Sequence, residues 1–320
     1  MTSYVLRRLA HLIGVLILVS IGVSGLLQLM PGDPAVIILG NTASAAQDHQ
    51  LDAQLGLNGG FADQYWHWLD NALHGNLGYS IVTRDPVTSA IAAGLPITLE
   101  IVVLGIILAL LLSVPFAAYC ALRPGRWFDS AATAIASAAL SIPSYIVGVA
   151  LLYLLVVRWR LFPVGDWVPI GTNLGANLHA VFLPALVIAL GPAAAFFRLL
   201  RTDMITTLQQ DFVLTARAKG LPTRYVLFRH ALRPSLFTLL TTAGLTVGGL
   251  IGGSFLVEDI FQLPGLGYIS VQAINNKDIP VIQGVALLTA LVFVLANLAV
   301  DIAYPFVDPR VGAAGPAGRS

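Results

Sequence analysis

Residues able to carry out chemistry are few and widely separated in this chain of 320 residues. No G-x-x-x-x-G-K-[S/T] loop occurs, so no backbone cradle of that kind is available for the phosphates of a nucleotide. H-E-x-x-H, which would set two imidazoles on one helix face around zinc, is absent, and so is G-x-S-x-G, which would raise a serine nucleophile on a sharp turn. His67 and His74 stand seven positions apart and could share a helix face. Two histidines alone make an incomplete metal site, and they read as ordinary polar residues. The single cysteine, Cys120, excludes an internal disulfide and a cysteine-based metal cage. It reads as a small apolar residue near a helix end. The expectation is a chain with no catalytic residue, no metal and no cofactor of its own.

Composition explains what the chain is instead. Hydrophobic residues make up 57% and charged residues only 10%, where a soluble domain carries about 25% charged residues. A net charge of +1 gives no reason to expect a nucleic-acid partner. The apolar residues fall in six long stretches, roughly Leu9–Met30, Ile97–Ala121, Ala131–Val157, His179–Phe197, Ser235–Val257 and Pro280–Val300. Each suits a bilayer core, which takes about 20 apolar residues as a helix, and lipid leaves the backbone no partners but its own. The first stretch follows Arg7 and Arg8, but it is long for a leader, and Met30-Pro31-Gly32-Asp33-Pro34 has no small-x-small cleavage pattern. It is expected to remain as a helix.

Six spans put both termini on one side. Thirteen of the seventeen Lys and Arg residues then lie on the N-terminal side, and four (Arg84, Arg158, Arg160 and Lys277) lie on the other. The N-terminal side is therefore expected to be cytoplasmic. Residues 31–95 form an acidic external cap loop with short helices, including the aromatic run Tyr65-Trp66-His67-Trp68. Residues 198–234 form a basic cytoplasmic loop, and the Gly/Ala/Pro-rich residues 312–320 a disordered tail. Residues 1–311 read as a single transmembrane domain.

Ion-coupled transporters usually carry buried charges inside their spans. Here Glu100 is the one formally charged residue within the six stretches, close to a stretch end, and Asp301 follows the last. A transporter built so must take its energy from elsewhere. In the fifth stretch Gly244, Gly248 and Gly252 form a doubled G-x-x-x-G pattern, which allows close helix approach. It suits plain bundle packing, the wall of a pathway or a subunit seam. Pro115, Pro143, Pro184 and Pro192 could kink their helices.

The cytoplasmic loop holds the most specific pattern. Good helix formers run from Phe212 to Lys219, basic residues gather near the end, and Gly220 follows as a stop. Charge alone would set topology; a compact helix with a glycine stop suggests a knob for a partner's groove. Thr215-Ala216-Arg217-Ala218-Lys219-Gly220 resembles the cytoplasmic-loop signature of permeases of binding-protein-dependent ATP-driven importers, in the dipeptide/oligopeptide/nickel branch. The general signature begins Glu-Ala-Ala, where this chain has Leu214-Thr215-Ala216, so the leading Glu is missing, as is common in that branch. Further fragments are similar in order along the chain. They are Met30–Pro34, Leu55–Leu57, Gly75–Gly78, Pro86-Val87, Ser141–Pro143, Leu161–Pro163, Leu183–Leu186, Arg229–Arg233, Val257–Phe261, Pro264–Gly267, Asp278–Gly284 and Asp308–Arg310.

The resemblance implies a type I importer permease fold, all-α with six transmembrane helices and a short external cap. It implies a multi-pass protein of a bacterial cytoplasmic membrane that forms half of a translocation pathway and is not an enzyme. A second homologous permease subunit, two ATP-binding subunits or domains that bring ATP and Mg, an external substrate-binding protein and membrane lipid are the implied partners. Leu214, Thr215, Ala216, Arg217, Ala218, Lys219 and Gly220 are then the coupling helix that meets the ATPase. Gly244, Gly248 and Gly252 mark a pathway or seam, and Glu258, Asp259, Pro264 and Gly265 are candidates for docking the binding protein. A dipeptide or oligopeptide is the implied cargo; nickel chelates, glutathione and haem are the branch's alternatives. An ion-coupled secondary transporter and a membrane-embedded hydrolase are readings from other classes. The first lacks buried charges and the second lacks a nucleophile–base pair.

Overall fold

The computed structural model describes residues 13–25 and 60–307. The ends of the first apolar stretch, residues 31–59 of the external segment, the tail 312–320 and the fragments Met30–Pro34, Leu55–Leu57 and Asp308–Arg310 lie outside them. So does the side chain of Asp301.

The described chain is helical almost throughout; one isolated antiparallel bridge joins Tyr79 and Pro86. The helices are α1 (Ile13–Gly25), α2 (Phe61–Leu73), α3 (Val87–Leu122), α4 (Trp127–Ser141) and α5 (Ser144–Leu151), which continues as a π-helical segment, Leu152–Arg158. Then come α6 (Leu174–Leu208), α7 (Asp211–Ala218), α8 (Thr223–Gly253), α9 (Phe255–Ile260), α10 (Leu266–Asn275) and α11 (Ile279–Val307).

Among the described residues, four helices are long and apolar enough to cross a membrane, namely α3, α6, α8 and the Ile279–Ala299 part of α11. The pair α4 and α5 makes a fifth if it counts as one span, but its axes differ by 100°. The expected third stretch is thus not one straight helix. The reason is local. Pro143 has no N–H to give and crowds the residue before it, and Ile142 sits in extended backbone at φ −99°, ψ 124°. The other three prolines behave differently: α3 runs through Pro115, and α6 runs through Pro184 and Pro192.

Two compact units can be distinguished, residues 1–97 with 264–294, and residues 98–263 with 295–320. In the first, small residues allow close packing. A Cβ on Gly284 would stand 2.6 Å from Val87 Cγ1, and one on Gly94 would stand 3.1 Å from backbone atoms of Gly265 and Leu266. Buried Asp278 binds the turn that precedes α3, accepting from the Ser80 hydroxyl and from the Ile81 N–H at 3.1 Å. Tyr65 of α2 shares a 2.8 Å hydrogen bond with Ser20 of α1.

The second unit is organised around α6. Two-thirds of its apolar window (67%) is enclosed, against 28% for α8. Phe196, Leu200 and Met204 are fully buried in a cluster that extends to Val213 of α7 and to Val226 and Ala231 of α8. A Cβ on Gly105 would come within 2.8 Å of Ile188, which shows how closely α3 approaches α6.

Candidate functional site

The segment 198–234 was expected to be a loop, yet most of it is helix. The long helix α6 continues to Leu208, α7 follows after a two-residue turn, and α8 begins at Thr223, just beyond Pro222. Position Gly220 decides how α7 ends. Its φ of +77° lies in the left-handed region that glycine occupies without penalty. The Gly220 N–H bonds the Arg217 carbonyl at 2.9 Å and the Leu221 N–H bonds the Ala216 carbonyl at 3.2 Å. These two bonds satisfy carbonyls that the helix end would leave open, the pattern of a Schellman motif.

Helical period sorts the residues of α7. Val213 and Ala216, three apart, are buried against the α6 and α8 cluster. Phe212, Leu214, Thr215, Arg217, Ala218 and Lys219 are exposed. The underside is formed by the π-helical segment Val226–Leu232 of α8, where the His230 ring lies 6.3 Å from Phe212 and 5.6 Å from Tyr225. The Arg229–Arg233 fragment therefore lies on the wide turn under α7. Leu214, Leu221, Tyr225 and Phe228 add exposed apolar surface to the basic residues.

The glycines of α8 do not form one uniform contact face. Gly248 is buried, and a Cβ on Gly249, Gly252 or Gly253 would meet no atom within 4 Å. Among the described residues, nothing covers the face of α8 that carries Gly249, Gly252 and Gly253, while Gly248, Leu250 and Ile251 face inward. Glu258 was a candidate surface residue, but it is wholly enclosed and accepts a 2.7 Å hydrogen bond from the Ser254 hydroxyl, which also reaches the Ile251 carbonyl. Gly265 is buried as well, while Asp259 is partly exposed and Pro264 exposed. Of the four docking candidates only Asp259 and Pro264 reach the surface.

Two further residues escaped the sequence reading. Asp129 in the first turn of α4 is 3% exposed. It takes two hydrogen bonds from the Arg201 guanidinium, one of them Nη2 to Oδ2 at 2.6 Å, and a third from the Gly125 N–H at 2.8 Å. The bidentate geometry is the strong form of this pairing. Asp129 lies just before an apolar stretch and Arg201 just after one, and neither position signals the pairing. Glu100 accepts a 3.1 Å bond from the Trp167 indole N–H, which gives it a partner within the protein. Among the described residues no group of three or more His, Cys, Asp or Glu side chains could hold a metal. His67 lies on α2, and His74 caps that helix and contacts Asp70.

The chain belongs to the family described as the binding-protein-dependent transport system inner membrane component, whose model matches residues 102–313, with the matching N-terminal model over residues 1–102. It is 37% identical over 314 residues to the oligopeptide transport system permease protein AppB of Bacillus subtilis. It is 35% identical over 312 residues to the glutathione transport system permease protein GsiC of Escherichia coli, and 34% over 336 residues to the dipeptide transport system permease protein DppB of the same species. Each match covers 97% of this chain and 99% of the relative.

Proposed function

We propose that this chain is the permease subunit of an ATP-driven importer and forms half of the pathway by which short peptides cross the cytoplasmic membrane. The observation that carries the reading is full-length similarity to peptide permeases, joined to an α7 whose inner face is buried and whose outer face is bare. Six spans with both termini cytoplasmic suit the Lys/Arg distribution, with α1 as the first span and α4 and α5 together as the third. An external cap between the first two spans completes that arrangement.

In this reading a second homologous permease packs against the uncovered glycine face of α8, and two ATPase subunits dock on the outer face of α7. An external binding protein delivers the cargo. ATP-driven closure of the motor moves α7, and the buried contacts of Val213 and Ala216 pass that motion to α6 and α8. The pathway then exchanges its open side by rocking of helices. No bond in the cargo is made or broken by this chain; ATP and Mg act in the partner subunits.

The test is purification of a tagged copy from its native membrane in mild detergent, with identification of every co-purifying chain. A second permease and Walker-motif ATPases support the proposal, and the binding protein can then be screened with dipeptides, oligopeptides and glutathione. A chain that remains alone or purely homo-oligomeric after crosslinking contradicts it and favours ion-coupled transport. Glutathione binding in place of longer peptides would keep the importer and change the cargo.

A further inference from the structure

The turn between α3 and α4 holds a recess. It has a volume of about 90 Å³, enough for a phosphate-sized group, and Tyr119, Arg123, Arg126, Trp127, Phe128 and Asp129 line it. Asp129 is the one carboxylate there, and Arg201 and the Gly125 N–H already occupy it. The recess therefore presents two guanidinium groups whose charge its own carboxylate does not offset.

If α3 spans the bilayer, the recess falls at a membrane surface. The apolar helix α3 ends at Leu122; Arg123 follows at once and Arg126 three residues later. The aromatic side chains form a connected group, with Phe128 edge-on to Tyr119 at 5.0 Å and to Trp127 at 5.8 Å. Arg123 lies 5.6 Å from the Tyr119 ring centre and bonds its hydroxyl at 3.4 Å. Trp127 is 80% exposed. A large indole left bare at the end of an apolar helix suits the headgroup level of a bilayer, where one side of the ring meets lipid and the other water.

We infer that this recess binds the headgroup of an anionic phospholipid, the phosphate held by Arg123 and Arg126 and the upper acyl chains resting against Trp127. Basic pockets at the ends of membrane helices are suited to such headgroups. Asp129, held by Arg201 and the Gly125 N–H, fixes one wall of the recess.

Quenching of Trp127 by brominated lipid tests this. The full-length chain, with whatever subunits accompany it, is placed in phosphatidylcholine vesicles in which a small, equal fraction of lipid is brominated near the headgroup. That fraction is either phosphatidylglycerol or phosphatidylcholine, and a Trp127→Phe variant isolates the contribution of Trp127. The brominated anionic lipid should quench Trp127 at a roughly 25-fold lower mole fraction, a factor of about five for each basic residue near the surface. The preference should vanish in an Arg123→Ala/Arg126→Ala variant and persist in Arg123→Lys/Arg126→Lys. Equal quenching by the two lipids overturns the proposal, as does a preference that survives loss of both arginines. If inorganic phosphate abolishes the preference at an ionic strength where chloride does not, the site takes free phosphate and the lipid assignment fails.

Discussion

Arg201 of α6 grips Asp129 of α4 across 72 residues of sequence, with two guanidinium–carboxylate hydrogen bonds. Asp129 is buried and Arg201 largely so. The pair fixes the start of the broken α4–α5 element to the cytoplasmic extension of α6, and that extension leads to α7 after a two-residue turn.

Removing one partner should cost far more than removing both. Asp129→Asn would leave the Arg201 charge partly buried without its counter-ion, a loss of about 3 kcal/mol for a pair of this kind. The thermal transition in detergent should fall clearly for Asp129→Asn and for Arg201→Met. The double variant Asp129→Leu/Arg201→Met should recover much of the loss. Additive losses in the double variant would mean that the pair does not act as a unit.

Gly220 gives a graded series. Among the described residues no atom lies within 4 Å of a Cβ placed there, so within the chain the cost of a substitution comes from its φ of +77°. A left-handed residue other than glycine costs about 1–2 kcal/mol, and Asn tolerates the region better than β-branched residues do. Uptake in reconstituted vesicles should fall in the order Gly220, Gly220→Asn, Gly220→Val, with membrane insertion unchanged. Equal uptake by all three would remove Gly220 from the account.

Arg217 is exposed on the outer face of α7, where it can be reversed without disturbing the core. Arg217→Glu should reduce uptake at least tenfold while the chain still inserts and α7 still folds, because Val213 and Ala216 keep their contacts. Normal uptake by Arg217→Glu and Gly220→Val together would sink the coupling role of α7.

The glycines divide into two classes that one assay can separate. Gly94→Leu should impair folding of the isolated chain, since backbone atoms of Gly265 and Leu266 stand where its side chain must go. At Gly252, among the described residues, an added Cβ meets no atom within 4 Å, so Gly252→Leu should leave folding of the chain largely intact. If α8 is the seam, Gly252→Leu should instead weaken co-purification of the second permease. Full recovery of the partner would move the seam elsewhere.

Much of this was legible in the sequence because hydrophobic runs and helix stops are local signals. The interiors of the long helices follow from uncharged stretches, and the end of α7 from a glycine after Lys219. What escaped depended on long-range packing or on geometry within a run. The apolar run from Ala131 to Val157 conceals a 100° bend, since a proline in a membrane stretch can be absorbed, as at Pro184, or can break the helix, as at Pro143. Glu258 was expected to dock the binding protein because it follows an apolar stretch, but it is wholly enclosed and paired with Ser254 one helical turn back. Asp129 and Arg201 are too distant in sequence for spacing to pair them.

Site-directed crosslinking from α7 tests the central claim most directly. Cys120 is the sole cysteine and is buried, so a Cys120→Ser background leaves a clean surface. Into that background Leu214→Cys, on the exposed face of α7, can be introduced and its products in native membranes identified after a short thiol-reactive crosslinker. The account predicts an adduct with a Walker-motif ATPase that forms from Leu214→Cys and is missing when the cysteine is placed instead at Leu73 of α2. An α7 that captures only lipid or further copies of this chain, in membranes where uptake is active, would contradict it.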